Sequence, residues 1–163
     1  MTRPVNAPTE IVWEVITDHD LYAKAAPNLT LVEVLEGQEE GMVRRCIDTN
    51  DNEWTEVCTH WSEEEMFAVA VDVNDSIFHR RFFTRFKGEW RIQERPNDVL
   101  ITVQFEFEPK YEPFGIFISK FFERKAPGII APIFDRWEAE IGSRLSNELT
   151  AENQGASNQP ITP

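Results

Sequence analysis

Val99-Leu100-Ile101-Thr102-Val103-Gln104-Phe105-Glu106-Phe107-Glu108 has a period of two, and after Pro109 the period changes. Val99, Ile101, Val103, Phe105 and Phe107 fall on one face of a strand, and Leu100, Thr102, Gln104, Glu106 and Glu108 on the other. Farther on, Phe114, Phe117 and Phe121, then Ile130, Phe134, Trp137, Ile141, Leu145 and Leu149, recur at helical spacing. Asp135, Glu138, Glu140 and Arg144 face away, and Glu140 with Arg144 forms an i,i+4 pair. A strand with one apolar face therefore runs into the only large amphipathic helix. That helix is the element available to cover the sheet.

Upstream the period of two recurs. It predicts strands over 29–36, 42–48, 53–61, 66–73 and 82–93. In the first, Leu29, Leu31 and Leu35 take one side and Val32 and Val34 the other. Turns are expected at Gly37 to Gly41, Thr49-Asn50-Asp51-Asn52, Ser62 to Glu65 and Arg95-Pro96-Asn97-Asp98. Residues 76–81 are basic and irregular, and Pro109 to Gly115 reads as a loop.

At the other end, residues 2–6 suit a short first strand. Ala7-Pro8-Thr9-Glu10 opens a helix carrying Ile11, Val12, Val15 and Ile16. Asp18 caps a second short helix through Leu21, Tyr22 and Ala25, ended by Pro27. Pro127 and Pro132 predict a kink in the last helix, or its division into two.

The expected fold is thus α+β: a curved antiparallel sheet of about six to seven strands around a long, kinked C-terminal helix. Two short helices follow the first strand. A curved sheet cannot touch one straight helix everywhere, so the gap between them is the expected binding site. Residues 1–149 make one domain, and the polar segment 150–163 is expected to be a disordered tail.

Twelve Phe and five Trp against two Tyr supply buried area with little polar function. The net charge of −13 argues against nucleic acid, or an anionic membrane, as the main partner. No stretch is long enough to span a bilayer, and the N-terminus shows no apolar signal region. The expected setting is cytoplasmic, with Cys46 and Cys58 as free thiols. The expected state is a monomer or weak dimer.

Ala7-Pro8-Thr9-Glu10-Ile11-Val12-Trp13-Glu14-Val15-Ile16-Thr17-Asp18-His19-Asp20-Leu21-Tyr22 resembles the opening of the polyketide cyclase/dehydrase and lipid-transport family. That family belongs to the START-like, Bet v 1-like (SRPBCC) helix-grip superfamily. Gly41-Met42-Val43-Arg44-Arg45, the strand of Trp90 and the late Trp137-Glu138 also fit. The resemblance covers residues 3–148. It implies a helix-grip fold and a hydrophobic or aromatic small-molecule ligand between sheet and helix. It transfers no catalytic residue and implies no cofactor.

In the strand Trp54 to Trp61, period two puts Trp54, Glu56, Cys58 and His60 on one face. Facing the gap, Glu56 would be a catalytic acid or base with its pKa raised by apolar walls. The plainer alternatives are that it pairs with Arg44 or Arg45, or that its face is solvated. Cys58 and His60 lie parallel on one strand with no oxyanion loop in view, which argues against a nucleophile–base pair. The cysteines and histidines show no metal-ligand spacing.

Of Arg44 and Arg45, one points inward, where it would hold a ligand oxygen or satisfy Glu56. Arg44 shares a face with Cys46. Further ligand-binding candidates are Phe86, Trp90, Val103 and Phe105 on the strands. Tyr111, Phe117 and Phe121 are candidates for the rim. His79, Arg80, Arg81, Arg85 and Lys87 form a basic patch, read either as a cavity mouth for an anionic ligand or as a solvated strand end.

Three functions follow: a carrier of a hydrophobic ligand, a polyketide cyclase or aromatase using Glu56 with a neighbouring Arg, or a protein-interaction module.

Overall fold

A computed structural model describes residues 1–157; the side chains of 112–114 and 151–157 fall outside the description. The elements in order are β1 (Thr2–Val5), α1 (Thr9–Thr17), α2 (His19–Ala25), β2 (Leu29–Glu36), β3 (Val43–Asp48) and β4 (Glu53–Ser62). There follow β5 (Met66–Val71), α3 (Ile77–Phe82), β6 (Phe83–Glu94), β7 (Val99–Pro109) and α4 (Glu112–Ser157).

The seven strands form one antiparallel sheet in the order β1-β7-β6-β5-β4-β3-β2. Consecutive strands β2 to β7 make an antiparallel meander, joined by short turns except between β5 and β6, where α3 intervenes. β1 joins the far edge, against β7. The α1–α2 segment must therefore carry the chain from one edge of the sheet to the other. It does so with its apolar side inward: Ile11, Val12, Trp13, Val15, Ile16 and Leu21 are all buried. The expected cap is present, with the Leu21 N–H donating to Asp18 Oδ1 at 2.9 Å.

The core lies between the concave face of the sheet, α1, α2 and the second half of α4. Ile130, Ile133, Phe134, Trp137 and Ile141 are buried there, each such side chain contributing roughly 1.5–3 kcal/mol. That anchoring offsets the ~3 kcal/mol an interior helix proline costs. α4 accordingly runs unbroken through both Pro127 and Pro132, so no division into two helices occurs. It begins at Glu112, inside the segment expected to be a loop. At its other end it takes in residues 150–157 of the expected tail, while 158–163 lie outside the described residues.

Four local departures from strict alternation shape the sheet. Register shifts interrupt β2 twice, and across the first of them both Leu29 and Val32 are buried, which strict alternation would not allow. A bulge between Cys58 and His60 turns the end of β4 over, and a fourth irregularity sits between Phe83 and Arg85 in β6. The irregular basic stretch is the short helix α3. Its N-cap Ser76 accepts from the His79 N–H at 3.2 Å, a local bond that competes with strand pairing.

Gly88 marks a close approach within the core. A Cβ there would meet the Trp90 ring at 2.7 and 2.8 Å and Phe105 at 3.2 Å. Trp90 has no room to retreat, because it stacks on Phe67 at 4.8 Å on the next strand. Gly88→Ala is therefore expected to cost about 1–3 kcal/mol by overpacking. Urea unfolding of the two proteins measures it. A cost near zero would show that the Trp90 ring shifts freely.

Candidate functional site

Register brings the central polar group together. In the β3–β4 pair Arg44 lies directly opposite Glu56, and Cys46 opposite Trp54. All four are buried, Arg44 at 2% exposure and Glu56 at 8%. Arg44 donates to Glu56 Oε2 from Nε at 2.8 Å and from Nη2 at 2.7 Å. Trp54 Nε1–H donates to the other carboxylate oxygen at 2.9 Å. Arg45 points outward and pairs with Glu33 and Glu53.

Burial pushes the Glu56 carboxyl up. The Arg44 charge, with hydrogen bonds from Trp54 and Arg44, outweighs burial and holds it below the usual carboxylate range. A lowered pKa is the reverse of what the sequence led us to expect for this residue. The expectation assumed apolar walls, and the walls contain a guanidinium and an indole N–H.

Arg44 is itself enclosed. Tyr22 of α2 and Trp90 of β6 put their rings 5.7 and 5.6 Å from its guanidinium carbon. Its Nη1–H donates to His19 Nδ1 at 3.2 Å, and His19 Nε2 meets Met42 Sδ at 3.3 Å. Those partners assign His19 as the Nε2–H tautomer. Burial, then the Arg44 charge, lowers its pKa to about 4. His79 borders the same group from α3. It lies edge-on to Trp54 at 5.1 Å and to Phe86 at 5.2 Å, with Nδ1 2.7 Å from Ser76 Oγ. Burial lowers its pKa, again to about 4.

His60 does not share the face of Trp54, Glu56 and Cys58. The bulge between Cys58 and His60 turns its side chain to solvent, and puts Trp61 against Trp13 and Phe67 instead. Cys58 Sγ donates to the His60 carbonyl oxygen at 3.2 Å. Burial raises the thiol pKa of both Cys58 and Cys46, so neither is poised as a thiolate nucleophile. Both cysteines are free. Among the described residues, no three His, Cys, Asp or Glu side chains group to hold a metal ion.

The remaining candidates separate into two sets. Trp90 and Val103 are buried in the concave face, and Phe86 and Phe105 are half-buried there beside Phe107. Phe122 of α4 packs over Phe86 and Phe107 at 6.4 and 5.3 Å. Tyr111, Phe117 and Phe121 instead lie exposed on the solvent side, the last two at 73% and 57%. A groove of about 620 Å³ opens where Thr84, Glu108 and Pro109 meet Gly115, Ile116, Ser119, Lys120 and Glu123. None of the sequence candidates lines it.

Two buried indole donors, Trp90 Nε1 and Trp137 Nε1, have no acceptor among the described residues. A water or a bound molecule's oxygen would satisfy each.

His19 and Tyr22 escaped the sequence reading as site residues, because they reach Arg44 from α2 through tertiary packing that no local pattern reveals. His79 was read there only as part of the basic patch; the structure buries its ring against Trp54 and Phe86.

Solved structures confirm the architecture. The chain resembles Ara h 8.0201 (TM-score 0.66, 14% identity, covering 88% of this chain and 95% of that one). It resembles a START superfamily protein from Mycobacterium smegmatis (TM-score 0.65, 15% identity, 88% and 95% covered). It also resembles the ZhuI aromatase/cyclase from Streptomyces sp. R1128 (TM-score 0.63, 20% identity, 89% and 93% covered). No curated relative matches it in sequence. The model of one family, polyketide cyclase/dehydrase and lipid transport, matches residues 5–133, most of the chain, and the protein belongs to that family.

Proposed function

We propose that the chain binds one hydrophobic small molecule, lipid- or polyketide-like, between the concave sheet and the N-terminal half of α4. The observation that carries this is the gradient of burial along α4. Its second half is sealed into the core by Ile130, Ile133, Phe134 and Trp137. Its first half stands over Phe86, Phe105 and Phe107, aromatic side chains that remain only half covered. A half-covered apolar floor beside buried polar groups is the usual composition of a small-molecule site. The unpaired Trp90 indole N–H, beside Phe105 on that floor, suits a ligand that carries an acceptor oxygen.

A cyclase or aromatase using Glu56 as acid or base is the alternative. Arg44 and Glu56 are adjacent, as that reading requires. However, a carboxylate held ionised by three hydrogen bonds is a poor proton carrier, so binding is the stronger reading.

Native mass spectrometry of the purified protein is expected to show a non-covalent adduct that solvent extraction removes. The extracted protein is then expected to bind 1-anilinonaphthalene-8-sulfonate saturably, one per chain. Phe86→Asp should weaken the dye at least about tenfold with an unchanged circular dichroism spectrum. No adduct together with no saturable dye binding would sink the proposal.

A further inference from the structure

Charge in this molecule is segregated. Residues 77–87 and 110–125 hold eight of the sixteen Lys and Arg but only two of the twenty-nine Asp and Glu. They carry a net +6 in a chain at −13, leaving −19 on the remainder. The fold places the two segments at one end. The Lys110 N–H donates to the Phe82 carbonyl at 2.8 Å, Lys110 Nζ reaches the Arg80 carbonyl at 3.2 Å, and Phe83 packs on Phe122 at 5.3 Å.

Helical geometry sorts the side chains of α4 there. At about 100° per residue, Ile116, Lys120 and Arg124 form one ridge and Phe117, Phe121 and Lys125 the next. All six are exposed. This arc of three apolar and three basic side chains includes no acid; Glu123 lies beyond its border. Arg85 is paired with Glu108, and Lys87 with Glu89. Among the described residues, no ion pair engages Arg80, Arg81, Lys120, Arg124 or Lys125. Beside them on α3, Ile77 stands 72% exposed. Leaving Ile116, Phe117 and Phe121 in water together on one stretch of α4 is unfavourable, and such clusters mark contact surfaces.

We propose that this end of the molecule docks on an anionic lipid surface. Phe117 and Phe121 enter the headgroup–acyl boundary, and Lys120, Arg124 and Lys125 meet the lipid phosphates. Apolar side chains interleaved with unpaired cations on one helix face are what such a surface binds. The −19 elsewhere does not prevent it, because charge effects fade beyond about 10 Å at ordinary ionic strength. Net charge disfavoured an anionic membrane only as an average over the whole chain. A second copy meeting this face with its own would set like charges against each other. Docking is peripheral, since no described helix is long and apolar enough to cross a membrane. It does not rest on the cavity being occupied.

The test is co-sedimentation of the full chain with vesicles of phosphatidylcholine alone or mixed with phosphatidylglycerol. Partitioning onto the mixed vesicles is expected to be at least about tenfold stronger at about 0.1 M salt, where the acidic remainder is screened, and to fall as salt rises further. Phe117→Asp with Phe121→Asp should lower it about tenfold with unchanged melting, as should Lys120→Glu with Arg124→Glu. Equal binding to both vesicles, or no effect of either pair, would overturn the proposal. So would a dimer in sedimentation equilibrium that the Phe117→Asp, Phe121→Asp pair dissolves. The dye experiment at Phe86 is independent, so failure of docking and failure of ligand binding are separately visible.

Discussion

Arg44→Met is expected to cost about 3–5 kcal/mol of folding free energy. The cause is what remains behind. Glu56 would keep its burial and its Trp54 hydrogen bond, but lose two charge-assisted bonds and the charge that offsets its desolvation. Tyr22 and Trp90 would also lose the cation packed between them. The double variant Arg44→Met, Glu56→Leu removes both charges and is expected to recover most of the loss.

A pH series adds a signature. In Arg44→Met the pKa of Glu56 rises on burial alone, so the carboxyl is most easily carried inside when protonated. The deficit should therefore be larger at neutral pH than near the ordinary carboxylate pKa. Urea midpoints of the three proteins decide the matter. A single-variant loss below about 1 kcal/mol would mean that water reaches the pair. A double variant no better than the single would mean that shape, not charge, holds this part of the sheet.

The same residues show where the sequence was readable. Alternation in Val99 to Phe107 and helical spacing from Phe114 onward were enough to give the sheet and the helix. Both are local periodicities that solvent imposes directly. The pairing of Arg44 with Glu56 was one of the open alternatives, because both lie on adjacent strands and only register chooses among partners. The His60 expectation failed for a different reason. A one-residue bulge reverses every side chain beyond it, and nothing in Cys58-Thr59-His60-Trp61 announces the bulge. Tyr111, Phe117 and Phe121 were expected at the rim because they flank the segment between the last strand and the long helix. Their exposure became visible only once the packed face of α4 was known. Net charge was the least informative quantity, since it summed over a basic end and an acidic remainder.

Between pH 6.5 and 4 the protein is expected to lose stability in a step that belongs to its two inward histidines. His19 and His79 have folded pKa values lowered from 6.5 to about 4. In that window the unfolded chain binds protons that the folded chain refuses. Stability therefore rises with pH across it, and is lost as pH falls from 6.5 toward 4. Below about 4 both states are protonated and this loss is complete. Glu56 works in the same direction at lower pH. Its folded pKa is depressed, so its contribution is present above the ordinary carboxylate value and lost as pH falls through the folded one. His79, only 6% exposed, accounts for about 2 kcal/mol between pH 7 and pH 5. The half-exposed His19 adds less, because water screens it. His79→Gln keeps a polar group near Ser76 but cannot take up the proton. Its stability is therefore expected to fall less steeply between pH 7 and pH 5 than that of the unaltered protein, whatever its stability at pH 7. Urea midpoints at the two pH values measure the slopes. Parallel slopes would show that the His79 ring takes up its proton inside the fold, and that the wall of Trp54 and Phe86 around it is open to water.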